Sequence, residues 1–310
     1  GRAASVLAFM AGEALRVPGD RMAGLLPGSE TEVTREPLGV VGVVSPWNFP
    51  IAIPAWKIAP ALAFGNTVVF KPAELVPGSA WALVDILHRA GLPPGVLNLV
   101  MGSGSQVGSV LCSHPGVDAI SFTGSVGTGR RIAVDCVSGP VMKRMQLEMG
   151  GKNPLVVLDD ADLDMAVECA VQGAFFSTGQ RCTASSRFIV TEGIHDRFVR
   201  AVIGRLEGLK VGHALDAATH IGPVVDDKQL QVDLSYIDIG VQEGARLAWG
   251  GKPLNLQTPG FYLQPALFTE VDAAMRVARE EIFGPVATVT RVQDFAEALH
   301  TAHATEFGLA

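Results

Sequence analysis

Apolar positions along the chain fall into two kinds of run that alternate. Short β-branched stretches cover residues 40–45, 67–70, 96–100, 119–122 and 143–147, and between them 51–63, 79–90, 106–112 and 128–134 repeat with helical spacing. Strand and helix by turns predict a parallel sheet wound on both faces, an architecture that takes up nucleotides at the carboxyl ends of its strands. After Gly150-Gly151 a second unit begins, with a strand at 155–158 and a helix capped by Asp160 or Asp162 running through 176. A strand at 186–190 and a helix at 195–206 follow, and the alternation continues to the end. Ahead of the first sheet, residues 2–15 have helical periodicity, stopped by Pro18-Gly19-Asp20. Residues 21–38 are polar and turn-rich, and 31–34 alternate as the strand of an exposed arm would. The expected fold class is α/β: an N-terminal helix and arm over 1–38, a doubly wound parallel-sheet dinucleotide-binding domain over 39–149, and a second α/β domain over 150–310.

Composition narrows the classes. A chain of 310 residues can hold two cores, and 48% hydrophobic with 18% charged residues gives no sign of disorder. The net charge of −7 argues against a nucleic-acid partner and offers no reason to expect a membrane surface. No apolar run reaches bilayer length and no signal peptide is visible at Gly1. Four cysteines do not make a disulfide framework, so a reducing cytoplasm is the expectation. Cys112 and His114 are too few and too close to form a ligand set, and no metal is expected.

Candidate chemistry centres on Cys182, in Gly179-Gln180-Arg181-Cys182-Thr183-Ala184. Cys112, Cys136 and Cys169 read as small buried hydrophobes, whereas the polar neighbours of Cys182 argue against burial for packing alone. A thiol in a glycine-permitted tight loop can attack carbon, and its own N–H can face the oxyanion that develops. Glu148 precedes Gly150-Gly151; it is either a solvated loop carboxylate or the base that activates water against a thioester. Asn48, in Pro46-Trp47-Asn48-Phe49-Pro50, is either a turn residue or an amide donor to an oxyanion. Gly124 and Ser125 lie where a strand gives way to a Gly-rich helix start, which suits a pyrophosphate. Lys71 and Glu74 leave another strand and can reach ribose hydroxyls, or form a surface pair. Gly102-Ser103-Gly104 with Gly108 misses the dinucleotide fingerprint spacing.

Taken in order, PWNFP at 46–50, KPAE at 71–74, FTGS at 122–125, LEMGGKNP at 147–154, GQRCTA at 179–184 and EEIFGPV at 280–286 span nearly the whole chain. With these motifs the chain resembles the aldehyde dehydrogenase superfamily. The resemblance implies that Cys182 is the nucleophile, Glu148 the general base, Asn48 the oxyanion donor and Lys57 a proton-relay residue. It implies that Lys71 and Glu74 contact the adenine ribose, Trp47 and Ser125 lie near the pyrophosphate, and Glu281 and Phe283 contact the nicotinamide ribose. The second domain is then catalytic, the substrate a small aldehyde and the cofactor NAD, with NADP open. A Glu74 carboxylate accepts from a free 2′-hydroxyl and repels a 2′-phosphate.

Set against that family, the chain is expected to be short at both ends, ending at Thr305-Glu306-Phe307-Gly308-Leu309-Ala310 without the late oligomerisation strand. The family forms homo-oligomers; for this chain a nucleotide-binding fragment without turnover stays open beside an active enzyme. The wording at 56–60 and 179–187 is most similar to the branch that oxidises 2-oxoglutarate semialdehyde (2,5-dioxopentanoate). Succinate-semialdehyde relatives carry Arg directly before the relay lysine, where this chain has Trp56. Arg181 reads either as a contact for a substrate carboxylate or as an outward, salt-bridged side chain. Transfer of the acyl group to coenzyme A is disfavoured by the presence of Glu148. A cysteine-hydrolase reading through His195 lacks a partner motif and places that residue at a helix start.

Overall fold

The computed structural model describes residues 1–309, and the chain divides into two compact units, Gly1–Met149 and Gly150–Ala310. The first opens with α1 (Arg2–Glu13) and an antiparallel hairpin of β1 (Asp20–Ala23) and β2 (Glu30–Val33). Both hairpin strands are exposed throughout, so β1 buries no face and leaves no alternation to read in the sequence.

The sheet of this unit follows: β3 (Val40–Val44), α2 (Ala52–Ala63), β4 (Thr67–Lys71), α3 (Pro77–Arg89), β5 (Leu97–Leu99), α4 (Ser109–Ser113), β6 (Ala119–Thr123), α5 (Val126–Ser138) and β7 (Arg144–Glu148). The strands pair in the order β5-β4-β3-β6-β7, all parallel. From β3 the chain winds outward first to one side and then to the other, so strand order reverses beside β3. Val41, Val43, Val68 and Phe70 are buried on one face, and the half-buried Val40, Val44 and Val69 pack on the other, so the sheet is covered on both. Ile58 and Leu83 pack one layer, while Leu111, Ile132 and Cys136 pack with Ile120 and Phe122 in another.

Local chemistry moves three expected boundaries. The helix expected at 106–112 is split into a wide π turn at Gly104–Gly108, capped by Ser103, and the short α4. α5 starts at Val126, not 128, because the Ser125 hydroxyl accepts from the Thr128 N–H, and it extends to Ser138. Lys143 lies outside the strand expected at 143–147: its buried ammonium donates to the carbonyls of His114 (2.6 Å) and Val117 (2.5 Å).

The second unit comprises β8 (Pro154–Val157), α6 (Leu163–Phe175), β9 (Arg187–Thr191), α7 (Glu192–Glu207), α8 (Asp227–Gln242), β10 (Arg246–Trp249), β11 (Pro253–Leu254), β12 (Tyr262–Leu263), β13 (Ala266–Thr269), α9 (Arg276–Arg279), β14 (Val286–Val292) and α10 (Phe295–His303). Its main sheet runs β10-β13-β14-β9-β8, parallel except for the antiparallel edge strand β10. β9 is buried at all five positions, and Phe188 meets Phe198 of α7 edge to face. Asp162, rather than Asp160, caps α6 by accepting from the Met165 N–H at 3.0 Å, a contact worth about 1 kcal/mol. α6 turns Val167, Ala170, Val171 and Ala174 inward, which leaves Cys169 on the solvent side; the expectation that Cys169 is buried is therefore corrected. Among the described residues no helix is long and apolar enough to cross a membrane, and no acidic, His or Cys cluster can hold a metal ion.

Candidate functional site

In the first unit the candidate residues gather after the carboxyl ends of adjacent strands. Trp47 and Asn48 lie half-buried in the bend after β3, Glu74 follows β4, Gly124 and Ser125 follow β6, and Glu148 is the last residue of β7. Glu148 is half-buried at the end of that strand, and its carbonyl accepts from the Gly124 N–H at 3.0 Å. At Gly124 a Cβ would collide with the Phe122 ring, so the tight turn from β6 into α5 needs glycine for close packing. Ser125 then caps α5, a helix of 13 residues whose first N–H groups suit an anion.

Lys71 departs from the surface-pair reading. Its side chain is buried, and Nζ donates to the carbonyls of Pro72 (2.5 Å) and Gly102 (3.1 Å). Burial lowers its pKa, with the Glu74 charge opposing. Glu74 is exposed and accepts from the Gly104 N–H at 3.2 Å, which ties the loop after β4 to the π turn after β5.

Lys57 projects from α2 into the sheet. Its Nζ donates to Gln146 Oε1 (2.8 Å), the Phe122 carbonyl (3.0 Å) and Ser121 Oγ (3.1 Å). Burial pulls its pKa down to about 8, and the negative charge of Glu148 acts in the opposite direction. A lysine poised near neutrality beside a carboxylate can hold or pass a proton.

The second unit presents Cys182, Glu281 and Phe283. α6 ends in a 3₁₀ turn, Phe176–Gly179, in which Ser177, Thr178 and Gly179 all take left-handed backbone (φ 54°, 58° and 66°). At Gly179 a Cβ would run into the carbonyl of Gly284, so glycine alone lets this turn approach the 281–284 segment. Cys182 follows, half-buried. Its carbonyl accepts from Asn153 Nδ2 at 2.8 Å, and the same amide reaches the Ala184 carbonyl at 3.3 Å. Arg181 is neither salt-bridged nor turned outward: Nη2 donates to the carbonyls of Gln172 (2.7 Å) and Gly173 (2.5 Å) and pins the cysteine loop to the end of α6. Burial lowers the Arg181 pKa, while the Cys182 charge opposes.

Glu281 accepts from the Gly151 N–H at 3.1 Å, and burial raises its pKa. Phe283 is held at φ +63°, a left-handed conformation uncommon for an aromatic residue. Glu281, Phe283, Gly151 and Arg181 line one small cavity, which brings the cysteine loop and the 281–284 segment together. In the sequence Asn153 stands out only as part of the LEMGGKNP motif. Its signal is positional, a polar residue two places after a Gly-Gly pair and directly before β8. The acceptors of Arg181 are backbone carbonyls, which no residue-type pattern marks.

A family model described as the aldehyde dehydrogenase family matches residues 1–310. Among curated relatives, the chain is 46% identical to an alpha-ketoglutaric semialdehyde dehydrogenase of Bacillus subtilis, over 99% of this chain and 63% of the relative. It is 43% identical to a 2,5-dioxopentanoate dehydrogenase of Saccharolobus solfataricus, over 99% of this chain and 64% of the relative. Among solved structures it superposes, with a TM-score of 0.96 and 37% identity, on a betaine aldehyde dehydrogenase of Staphylococcus aureus in complex with NAD+, over 99% of this chain and 61% of that one. The chain thus spans a little under two thirds of the length of the curated relatives it matches.

Proposed function

Because the chain belongs to the aldehyde dehydrogenase family, we propose that it oxidises an aldehyde to the carboxylic acid through a thioester on Cys182, with NAD as acceptor. The observation that carries this reading is the series of strand ends in the first unit. Trp47–Asn48, Lys71–Glu74, Gly124–Ser125 and Glu148 lie at or just beyond the carboxyl ends of four adjacent parallel strands beside the reversal of strand order, where α/β sheets bind nucleotides.

The residues present fit a dinucleotide. The capped amino end of α5 offers N–H groups to a pyrophosphate, and the close Gly124 turn leaves that end accessible. The exposed Glu74 carboxylate accepts from ribose hydroxyls and repels a 2′-phosphate, which favours NAD over NADP. Glu281 and Phe283 hold the nicotinamide ribose. Bound NAD supplies the hydride acceptor.

In this scheme the Cys182 thiolate adds to the aldehyde carbon, and a thiohemiacetal oxyanion forms. The Asn48 amide and the Cys182 backbone N–H donate to that oxygen, a contribution of about 10²–10³ in rate at comparable sites. Glu148 takes a proton from the water that attacks the thioester, and neutral Lys57 accepts it at Nζ, where Ser121 and Gln146 hold the resulting ammonium. The acid leaves and the thiolate is restored. The two semialdehyde dehydrogenases among the relatives favour 2-oxoglutarate semialdehyde as substrate.

The test is reduced-nicotinamide formation by this chain with NAD and either 2-oxoglutarate semialdehyde or betaine aldehyde. Turnover of the semialdehyde at the higher kcat/KM, lost in Cys182→Ala while NAD still binds, is the expected result. Preference for betaine aldehyde overturns the substrate, and undiminished turnover in Cys182→Ala overturns the mechanism.

A further inference from the structure

α8 carries a buried carboxyl group that the proposed chemistry does not use. Asp233 is completely inaccessible to solvent. Its Oδ1 accepts from Gln229 Nε2 at 2.8 Å, and its Oδ2 is buried with no hydrogen-bond partner. The same Gln229 nitrogen donates to the carbonyl of Ile282 at 3.0 Å. On the other side, the carboxyl group lies so close to Gly284 that a Cβ there would collide with all three of its outer atoms. Two points of the 281–284 segment, the Ile282 carbonyl and the Gly284 α-carbon, are therefore set by one turn of α8. Phe283, between them, has left-handed backbone, a conformation that persists only when its surroundings over-determine it.

We propose that Asp233 and Gln229 are positioning residues that clamp the 281–284 segment in its observed shape, and that ionisation of Asp233 loosens the clamp. The neutral carboxyl fits this site because a single amide donor faces it and no cation does. Charged groups on the elements around it are otherwise engaged or turned away. Arg276 of α9 pairs with Glu280, Arg246 of β10 with Glu270, and Glu281 takes the Gly151 N–H. Asp226 caps α8, and Asp227, Lys228 and Arg279 are exposed to solvent. Burial pushes the Asp233 pKa up to about 7, with the Gln229 hydrogen bond opposing. A rise in pH through that value leaves a charge with one donor in an apolar surround, and opening of the segment to water relieves it. The consequence for the cofactor rests on the proposed roles of Glu281 and Phe283; the clamp itself does not.

The test is hydrogen exchange of the peptide covering residues 280–286, without NAD, in wild type and in the near-isosteric Asp233→Asn. Protection in the wild type, corrected for intrinsic rates, is expected to fall about tenfold between about pH 6 and about pH 8, as a group titrating near 7 loses its proton. Asp233→Asn is expected to remain protected at both. Gln229→Met, which removes the bridge to Ile282, is expected to lower protection at both. An equal pH response in wild type and Asp233→Asn overturns the proposal, as does a Gln229→Met segment protected like the wild type. NAD titration of the same proteins keeps the two readings apart. A pH-dependent NAD affinity that becomes flat in Asp233→Asn supports the clamp, whereas failure of the wild type to bind NAD at either pH sinks the cofactor reading and leaves the exchange result standing.

Discussion

Lys57 Nζ donates to Gln146 Oε1 at 2.8 Å, and the same Gln146 oxygen accepts from Ser121 Oγ at 2.9 Å, so one amide oxygen joins α2 to two neighbouring strands of the first sheet. The ammonium is thereby fixed by three acceptors while burial draws its pKa towards neutrality. A charge held in this way can change protonation without changing place.

Lys57 governs one limb of the pH profile if it relays the proton taken by Glu148. A relay must be neutral to accept, so kcat is expected to rise with pH and level off above about 8. Lys57→Met is expected to remove that limb and lower turnover by about 10²–10⁴. The kcat profiles of the two proteins decide it; an unaltered limb in the mutant would falsify the relay.

Glu148→Gln separates the two half-reactions. Acylation of Cys182 needs no water, so one equivalent of reduced nicotinamide per site is expected to appear as a burst. The steady rate thereafter is expected to be lower by about 10²-fold or more, as for loss of a general base. Stopped-flow absorbance reads both phases, and a normal steady rate removes Glu148 from this role.

Lys152 is buried in the second unit, and its Nζ has no hydrogen-bond partner. Burial first, then the positive charge of Arg187, pull its pKa down to about 7, against the attraction of Glu281 and Glu280. Between about 7 and the ordinary value of 10.5 the unfolded chain binds the proton that the folded one has released, so stability rises with pH across that window. Lys152→Met is expected to stabilise by about 1–4 kcal/mol below pH 7, and by progressively less as pH rises toward 10.5. Thermal unfolding across that range measures it, and a destabilised mutant at low pH contradicts the burial penalty.

Gly284→Ala drives a methyl group into the Asp233 carboxyl. Overpacking of this kind costs about 1–3 kcal/mol. Asp233→Ala in the same chain makes room, so the double mutant is expected to be more stable than the sum of the single changes implies. Additive losses in denaturant melts would show that the two positions are not in contact.

Much of the architecture was legible before any coordinates, because burial on both faces writes itself as β-branched runs at 40–45, 67–70 and 119–122, separated by helical spacing. Short motifs likewise marked Cys182, Glu148, Asn48 and Lys57, since the proposed chemistry needs those side chains whatever surrounds them. The β1 strand is not legible in the sequence because an exposed hairpin carries no apolar period. The exposure of Cys169 is not legible there either, because a single residue type does not reveal which side of a helix it faces.

What the tertiary structure alone decided is where polar groups find partners across long stretches of chain. Lys71 is buried on the carbonyls of Pro72 and Gly102, Asn153 carries the cysteine loop, Arg181 ties that loop to α6, and Asp233 rests against Gly284. Periodicity records only whether a position faces the core, a property of one element and its neighbours along the chain. A buried hydrogen bond such as that from Lys71 to the Gly102 carbonyl joins residues 31 apart and ends on a backbone group, which every residue possesses and no sequence pattern marks.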